Sequence, residues 1–216
     1  MKTTINKRQN FEVADVLKTN IVQVASQQNL CNTQRKAFFD ITSCRSSKLG
    51  GHINTCNQCG YKQQAYNSCH NRHCPKCQFL KQEQWVDKLK GRLIPGRYFH
   101  IVFSMPHLLN PLFYINQNLC YKLLFDAASQ ALQKAGRNPQ FLGAETGAVA
   151  VLHTWGQTLS YHPHIHLLVP AGGLSEDGME WIQSPKKFFV PVKAISAIFR
   201  GIFVRLMKDQ WDKNAF

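Results

Sequence analysis

The sequence predicts an α+β fold, an antiparallel sheet with helices packed on one face, preceded by a small helical domain built around a zinc knuckle. Three observations predict it. Six of the eight cysteines crowd between Cys44 and Cys77. Beyond them, β-branched and aromatic runs alternate with amphipathic stretches in the order strand, helix, strand, strand, hairpin, helix. Within the third strand, Tyr161-His-Pro-His-Ile-His-Leu-Leu-Val169 sets two histidines at a spacing of two.

The chain of 216 residues suits one ordinary core or two small domains. A hydrophobic content of 44% excludes a disordered chain. No apolar run is long enough to span a membrane, so no membrane partner is expected. Met1 to Asn10 is polar and lacks the apolar centre of a secretory signal, so a cytoplasmic protein is expected, at the nucleoid when it holds DNA. Net charge is +14, which favours a polyanionic partner, with nucleic acid leading. Residues 1–91 carry 14 basic and 5 acidic side chains. Between Ile41 and Gln82 there is no acid, but Arg45, Lys48, Lys62, Arg72, Lys76 and Lys81 are all basic. These six are the candidate DNA contacts; a solvated face is the plainer alternative.

Taken in order, Phe11 to Val24 places apolar residues at 13, 16, 17, 21 and 24, which predicts a helix of three to four turns. Thr33 is placed to cap a second helix through Ile41, and Ser43 to Gly51 reads as loop. Cys56-x-x-Cys59 and Cys74-x-x-Cys77 follow, 14 residues apart. Each pair suits a tight knuckle whose amides turn towards the thiolates. Four thiolates at this spacing predict a closed tetrahedral Zn²⁺ site of Cys56, Cys59, Cys74 and Cys77. Gly60 supplies the positive φ such a knuckle needs. Without a secretory signal the thiols stay reduced, which argues for metal over disulfides. Cys44, His52, Cys69 and His73 interleave with this set; they suit a second zinc, or else free thiols and surface histidines. A polar, lysine-rich helix over Gln78–Leu93 ends at Pro95-Gly96, where the domain boundary falls: 1–94 helical and zinc-binding, 95–216 the sheet domain.

In the second domain Tyr98–Ser104 reads as a strand, Pro106 to Pro111 as a turn, and Asn118–Ala135 as an amphipathic helix stopped by Gly136. Gly147–Trp155 and His164–Val169 are two further strands. Ala171 to Gly178 reads as a turn before a hairpin from Trp181 to Val190. A last helix from Val192 to Gln210 shows an apolar face at 195, 198, 199, 202, 203, 206 and 207. Successive strand residues point to opposite faces, so His164 and His166 share one face, about 6–7 Å apart, while Ile165 and Leu167 enter the core. Two imidazoles so fixed can converge on a metal ion; a pair of structural histidines is the alternative. Pro163 has no N–H to donate, which places His162 in the turn before the ladder.

A basic four-cysteine knuckle together with His-hydrophobic-His on a strand closely resembles the insertion-sequence 91 type of rolling-circle transposases, in the HUH single-strand endonuclease superfamily. The residues that carry the resemblance are Gly50-Gly51-His52, Cys56-x-x-Cys59-Gly60, Tyr66-Asn-Ser-Cys69-x-Asn-Arg-His73-Cys74-Pro-Lys-Cys77, Tyr98-Phe-His-Ile-Val-Phe103, Leu152-His-Thr-Trp-Gly-Gln157, His162-Pro-His164-Ile-His166 and Phe188-Phe-Val-Pro-Val192. The resemblance implies a ferredoxin-like, HUH-type sheet. It implies that His164 and His166 help hold Mg²⁺ or Mn²⁺ at a scissile phosphate. It also implies a tyrosine nucleophile, and single-stranded DNA at transposon ends as partner. A third ligand is needed, and His153, Gln157 and His162 are the candidates by position.

The sequence departs from the family at the nucleophile. Family members carry a tyrosine pair on a helix well after the last segment seen here. The tyrosines of this chain are Tyr61, Tyr66, Tyr98, Tyr114, Tyr121 and Tyr161, and none follows His166. The expectation is the N-terminal part of a transposase, truncated before the catalytic tyrosines, which binds DNA and metal without nicking. A full-length transposase is a further expected partner. The alternative is a non-enzymatic, zinc-dependent DNA-binding regulator at transposon ends. Hydrolysis by a metal-activated water would need no tyrosine, but no acidic residue stands near the histidines in sequence to act as base.

Overall fold

The computed structural model describes residues 11–27, 29–184 and 189–216. The chain divides into two compact units, Met1–Leu93 and Ile94–Phe216.

In the first unit, helix α1 (Val13–Gln27) packs on α2 (Asn32–Ser43); a hairpin of β1 (Gly51–Thr55) and β2 (Lys62–Tyr66) follows, then helix α3 (Pro75–Lys90). Helix α2 starts at Asn32, ahead of the expected Thr33 cap. Gln34 reaches back to accept the Cys31 N–H at 2.9 Å, and Cys31 is the N-cap. Pro75 opens α3, where its missing N–H costs nothing. Among the described residues the buried hydrophobic cluster of this unit is small: Ala14, Ile41, Cys44 and Cys74, with Leu17, Cys69 and Cys77 packed against them. Thiols therefore make up much of its core, and a core this small needs a staple.

In the second unit, β3 (Tyr98–Ser104) leads through a 3₁₀ turn (His107–Leu109) into a short helix, α4 (Asn110–Ile115), and then into α5 (Gln117–Gly136). The segment between Pro106 and Pro111, read as a turn, thus enters a helix, with Pro111 in the first turn where proline is tolerated. Strands β4 (Val149–Trp155) and β5 (Tyr161–Pro170), the hairpin β6 (Gly172–Leu174) and β7 (Trp181–Gln183), and helix α6 (Val192–Trp211) complete the unit. The sheet order is β3-β5-β4, wholly antiparallel, with the histidine strand in the centre. Odd-numbered residues of β5 face the helices: Ile165, Leu167 and Val169 are buried against a core that includes Phe103, Leu124 and Ala127, with Phe199 and Phe203 from α6. The α+β architecture expected from the sequence is present.

Two local readings change. Gly172 and Gly173 form a strand rather than a turn, because their missing side chains leave room for Trp181 and the Glu145 backbone; a Cβ on Gly172 would lie 2.6 Å from the Trp181 ring. The hairpin expected to run to Val190 falls partly on residues 185–188, outside the described residues. Also, β5 begins at Tyr161, so His162 and Pro163 lie inside the strand. The ladder to β3 ends at Ser104↔His164, and the ladder to β4 shifts register between His153 and Trp155. No regular ladder position therefore asks Pro163 for an N–H.

Candidate metal centres

The first unit brings together the Sγ atoms of Cys44, Cys69, Cys74 and Cys77, all within 4.8 Å of one another. Cys44 to Cys77 is 3.5 Å and Cys69 to Cys77 is 3.6 Å. A Zn–S bond of about 2.3 Å implies tetrahedral edges of about 3.8 Å, so this cage fits a zinc ion. Each donor has its own origin. Cys44 follows the end of α2, Cys69 lies in the loop after β2, and Cys74 and Cys77 sit at the start of α3. Burial pushes the Cys44 and Cys69 thiols up. Burial also opposes ionisation of Cys77, but the Cys44 and Cys69 thiols donate to it and hold it at about 7. A divalent ion bound in the cage would displace the remaining thiol protons.

The sulfurs gathered are not those the spacing paired. Cys56 and Cys59 lie exposed in the turn between β1 and β2. That turn is a knuckle: Cys56 N–H donates to the Tyr61 carbonyl at 2.8 Å, Gly60 N–H donates to the Cys56 carbonyl at 2.9 Å, and Gly60 has φ 71°. Backbone N–H groups of Cys59 and Gln58 hold the Cys56 thiol below its ordinary range. The knuckle forms, yet its hairpin carries it outside the cage, and the C-terminal end of α2 supplies Cys44 instead. His52 and His73 are also outside: His52 Nδ1 meets Asn67 Oδ1 at 3.3 Å, and His73 Nε2 accepts from Arg72 Nε at 3.2 Å.

Sequence reasoning passed over two residues beside the cage. Asp40, buried at 6% exposure, accepts from Lys36 Nζ at 2.8 Å and from Asn71 Nδ2 at 2.7 Å. Asn71 in turn directs its backbone N–H at Cys69 Sγ (3.5 Å) and accepts the His73 N–H at 2.9 Å. This pair shapes the loop between Cys69 and Cys74. The Lys36 and Asn71 donors hold the Asp40 carboxyl below its ordinary value despite burial. The available signal was that Asp40 is the last acid before the acid-free stretch. Of the six candidate DNA cations, Lys76 is ion-paired with Glu12 at 2.6 Å, and the other five are exposed.

In the second unit the even-numbered face of β5 is opposite the core. His164 and His166 stand there beside His153 of β4, and the three offer nitrogens within 4.8 Å of one another. Their rings are 4.3 to 5.3 Å apart. Of the three candidates for a third donor, His153 joins the cluster. Gln157 lies in the exposed β4–β5 turn, while the His162 ring lies between those of His107 and His164, tilted to both, its Nδ1 buried without a partner among the described residues. His164 Nδ1 lies 2.7 Å from the His162 carbonyl, to which it must donate, so the lone pair of His164 is on Nε2. His166 Nδ1 meets His100 Nε2 at 2.7 Å, and its Nε2 is buried without a partner among the described residues. Burial, and then the neighbouring imidazoles, keep His166 below its ordinary value, which favours the neutral, ligating form. Around the cluster Val102, Val151 and Trp155 are exposed, and the Trp155 ring stacks on His153 at 5.3 Å. A multi-imidazole face bordering solvent suits a divalent ion that keeps open positions.

Tyr161 projects to the other face of β5. Its hydroxyl bonds that of Tyr121 at 2.9 Å, and Tyr114 packs edge-on against it. Burial and the Tyr121 contact push its hydroxyl up, which disfavours a phenolate.

Residues 16–105 match the family described as "Transposase zinc-binding domain", in its insertion-sequence 91 form, and residues 147–216 match the family described as "Putative transposase". The chain belongs to the insertion-sequence 91 type of transposases. It is 42% identical over 206 residues to "Putative transposase y4qJ" of Sinorhizobium fredii, covering 95% of this chain and 52% of that protein. It is also 37% identical over 139 residues to the transposase for insertion sequence element IS801 of Pseudomonas savastanoi pv. phaseolicola, covering 63% of this chain and 33% of that one. The chain therefore spans about half the length of the first relative and a third of the second. Solved structures of the conjugative relaxase TrwC in complex with oriT DNA, one described as copper-bound and the other as metal-bound, align with a TM-score of 0.39. They are 12–13% identical and cover 51% of this chain and 42% of theirs. Among the described residues no helix is long and apolar enough to cross a membrane.

Proposed function

We propose that these residues form the DNA- and metal-binding portion of a rolling-circle transposase that works on single-stranded DNA at transposon ends. The observation that carries this reading is the convergence of His153, His164 and His166 on the open face of the central strand, with the Nδ1 atoms of both strand histidines already engaged. These three residues would hold Mg²⁺ or Mn²⁺. When bound, such an ion neutralises charge developing on the non-bridging oxygens of a phosphodiester. The protein's own part is to fix the imidazoles on a rigid sheet and leave the strand face open to a backbone. Trp155 beside His153 offers a ring on which a base can stack.

Cys44, Cys69, Cys74 and Cys77 would hold a structural zinc, in place of the set read from spacing. Arg45, Lys48, Lys62, Arg72 and Lys81 contribute phosphate contacts, Lys76 less because Glu12 neutralises it. Tyr121 and Tyr161 bond each other against the core and Tyr114 packs edge-on on Tyr161, which argues against any of the three as nucleophile. On this reading the 216 residues bind DNA and a divalent ion but do not cut by tyrosine attack.

The test is incubation of the zinc-loaded chain with single-stranded element-end oligonucleotides and Mn²⁺. The expected result is Mn²⁺-assisted binding that depends on His164 and His166, with no protein–DNA adduct on a denaturing gel. A covalent adduct would overturn the non-cutting claim. Binding indifferent to both histidines would overturn the metal-site claim and favour a regulator that only occupies the DNA.

A further inference from the structure

The histidine cluster contains a fourth imidazole. His100 stands on β3, on the same open face, one step along the sheet from the pair Val102↔His166. Its ring lies nearly parallel to that of His166, with centroids 4.9 Å apart and planes 13° apart, and its Nε2 is 2.7 Å from His166 Nδ1.

Two neutral imidazoles in this contact share one proton, and its owner decides whether His166 can bind metal. If His100 Nε2 holds the proton, His166 Nδ1 is the acceptor. The ring proton of His166 then sits on Nε2 and blocks the lone pair. If His166 Nδ1 holds the proton and donates it to His100, the lone pair of Nε2 is free, and that nitrogen is the buried one with no partner among the described residues. A metal-ligating histidine ordinarily donates its other N–H to an acceptor of this kind. His164 is fixed in the same sense, but by the backbone carbonyl of His162, which no substitution removes. For His166 the acceptor is a side chain. His100 is exposed at the sheet surface, so its remaining nitrogen can hold its own proton in contact with water.

We propose that His100 is a positioning residue for the histidine metal site: it accepts the Nδ1–H of His166 and so presents His166 Nε2 to the ion. This rests on the metal-site reading above.

The experiment titrates Mn²⁺, followed by electron paramagnetic resonance, and Co²⁺, followed by its visible spectrum, into the full zinc-loaded chain. Wild type is compared with H100L, H100Q and H164A/H166A. Leucine cannot accept a hydrogen bond; glutamine can, through Oε1. H100L should weaken Mn²⁺ binding about 10–100-fold and alter the Co²⁺ bands. H100Q should return both to near wild type, and the thermal melt should be the same for all three. Wild-type affinity in H100L would overturn the proposal, as would H100Q binding as weakly as H100L, which would make His100 a ligand itself. If wild type binds Mn²⁺ no better than H164A/H166A, the metal-site reading fails, and the role of His100 with it. If only H100L fails to differ, that reading stands and the His100 proposal alone falls.

Discussion

The two candidate metal-binding clusters of this chain are built in opposite ways. The histidine site draws two of its three members from one strand, at a spacing of two, and the third from the adjacent strand in direct register, His153↔His164. Its geometry follows from strand periodicity and a single pairing. The thiol cage collects donors from a helix end, a loop and the start of another helix, 33 residues apart at the widest. Its membership follows from how α2, the hairpin and α3 pack. One site is an addition to a core that stands without it, whereas the other is a large part of the core of its unit.

That contrast is most open to attack at the cysteines. Replacing Cys44 or Cys74 with serine should release zinc and unfold the first unit, since folding around a structural zinc draws on about 10–16 kcal/mol of binding free energy. Replacing Cys56 and Cys59 together should leave zinc content and thermal stability close to wild type. Zinc analysis by mass spectrometry beside a melt decides it. The reverse pattern would restore the set that the spacing suggested.

On the sheet, neighbouring residues should separate stability from binding. Ile165→Ala removes a fully buried side chain and should cost about 2–5 kcal/mol in denaturant unfolding, with Mn²⁺ affinity retained in the folded fraction. His164→Ala, one residue away on the other face, should abolish Mn²⁺ binding and barely move the unfolding midpoint. Equal losses of stability from both would mean that the histidines are core residues after all.

Asp40→Asn leaves an amide facing the Lys36 and Asn71 donors, and should cost about 1–3 kcal/mol and speed zinc release to a chelator. Its pH dependence has a definite sign. The folded carboxyl is held below 3.8, so its contribution is present above that pH and is lost as pH falls through the lower folded value. Both proteins shed zinc in acid, so the stability difference between them is the quantity to follow, and it should shrink below about pH 4. A difference that grew in acid would contradict the assigned role.

The smallest effects belong to the surface cations. Lys62→Ala or Lys81→Ala should each reduce the salt slope of single-stranded DNA binding by about 1, and Lys76→Ala by less, because Glu12 already holds Lys76. Equal slopes for all three would remove the reason for setting Lys76 apart.

The fold was legible wherever a period was. Strand alternation placed Ile165 and Leu167 in the core and the histidines opposite them, and helical spacing located α5 and α6 to within two residues. The thiol cage was not legible, because a Cys-x-x-Cys pair announces a knuckle and does not say which knuckle or loop lies beside it. Asp40 and Asn71 carry no motif, and their role exists only once α2 meets the loop after β2. Pro163 misled for a related reason: a missing N–H matters only where a neighbour requires it, and both ladders are interrupted or ended at that point. His100 stood in the sequence as one polar residue in an apolar strand, and only the register of β3 on β5 shows what it faces.

The most direct test of two differently built metal sites is anomalous diffraction from crystals of the zinc-loaded chain soaked in Mn²⁺. One zinc peak should lie among the sulfurs of Cys44, Cys69, Cys74 and Cys77, and one manganese peak against imidazole nitrogens of His153, His164 and His166. Zinc on Cys56 and Cys59, or no manganese at the three histidines, would contradict the account.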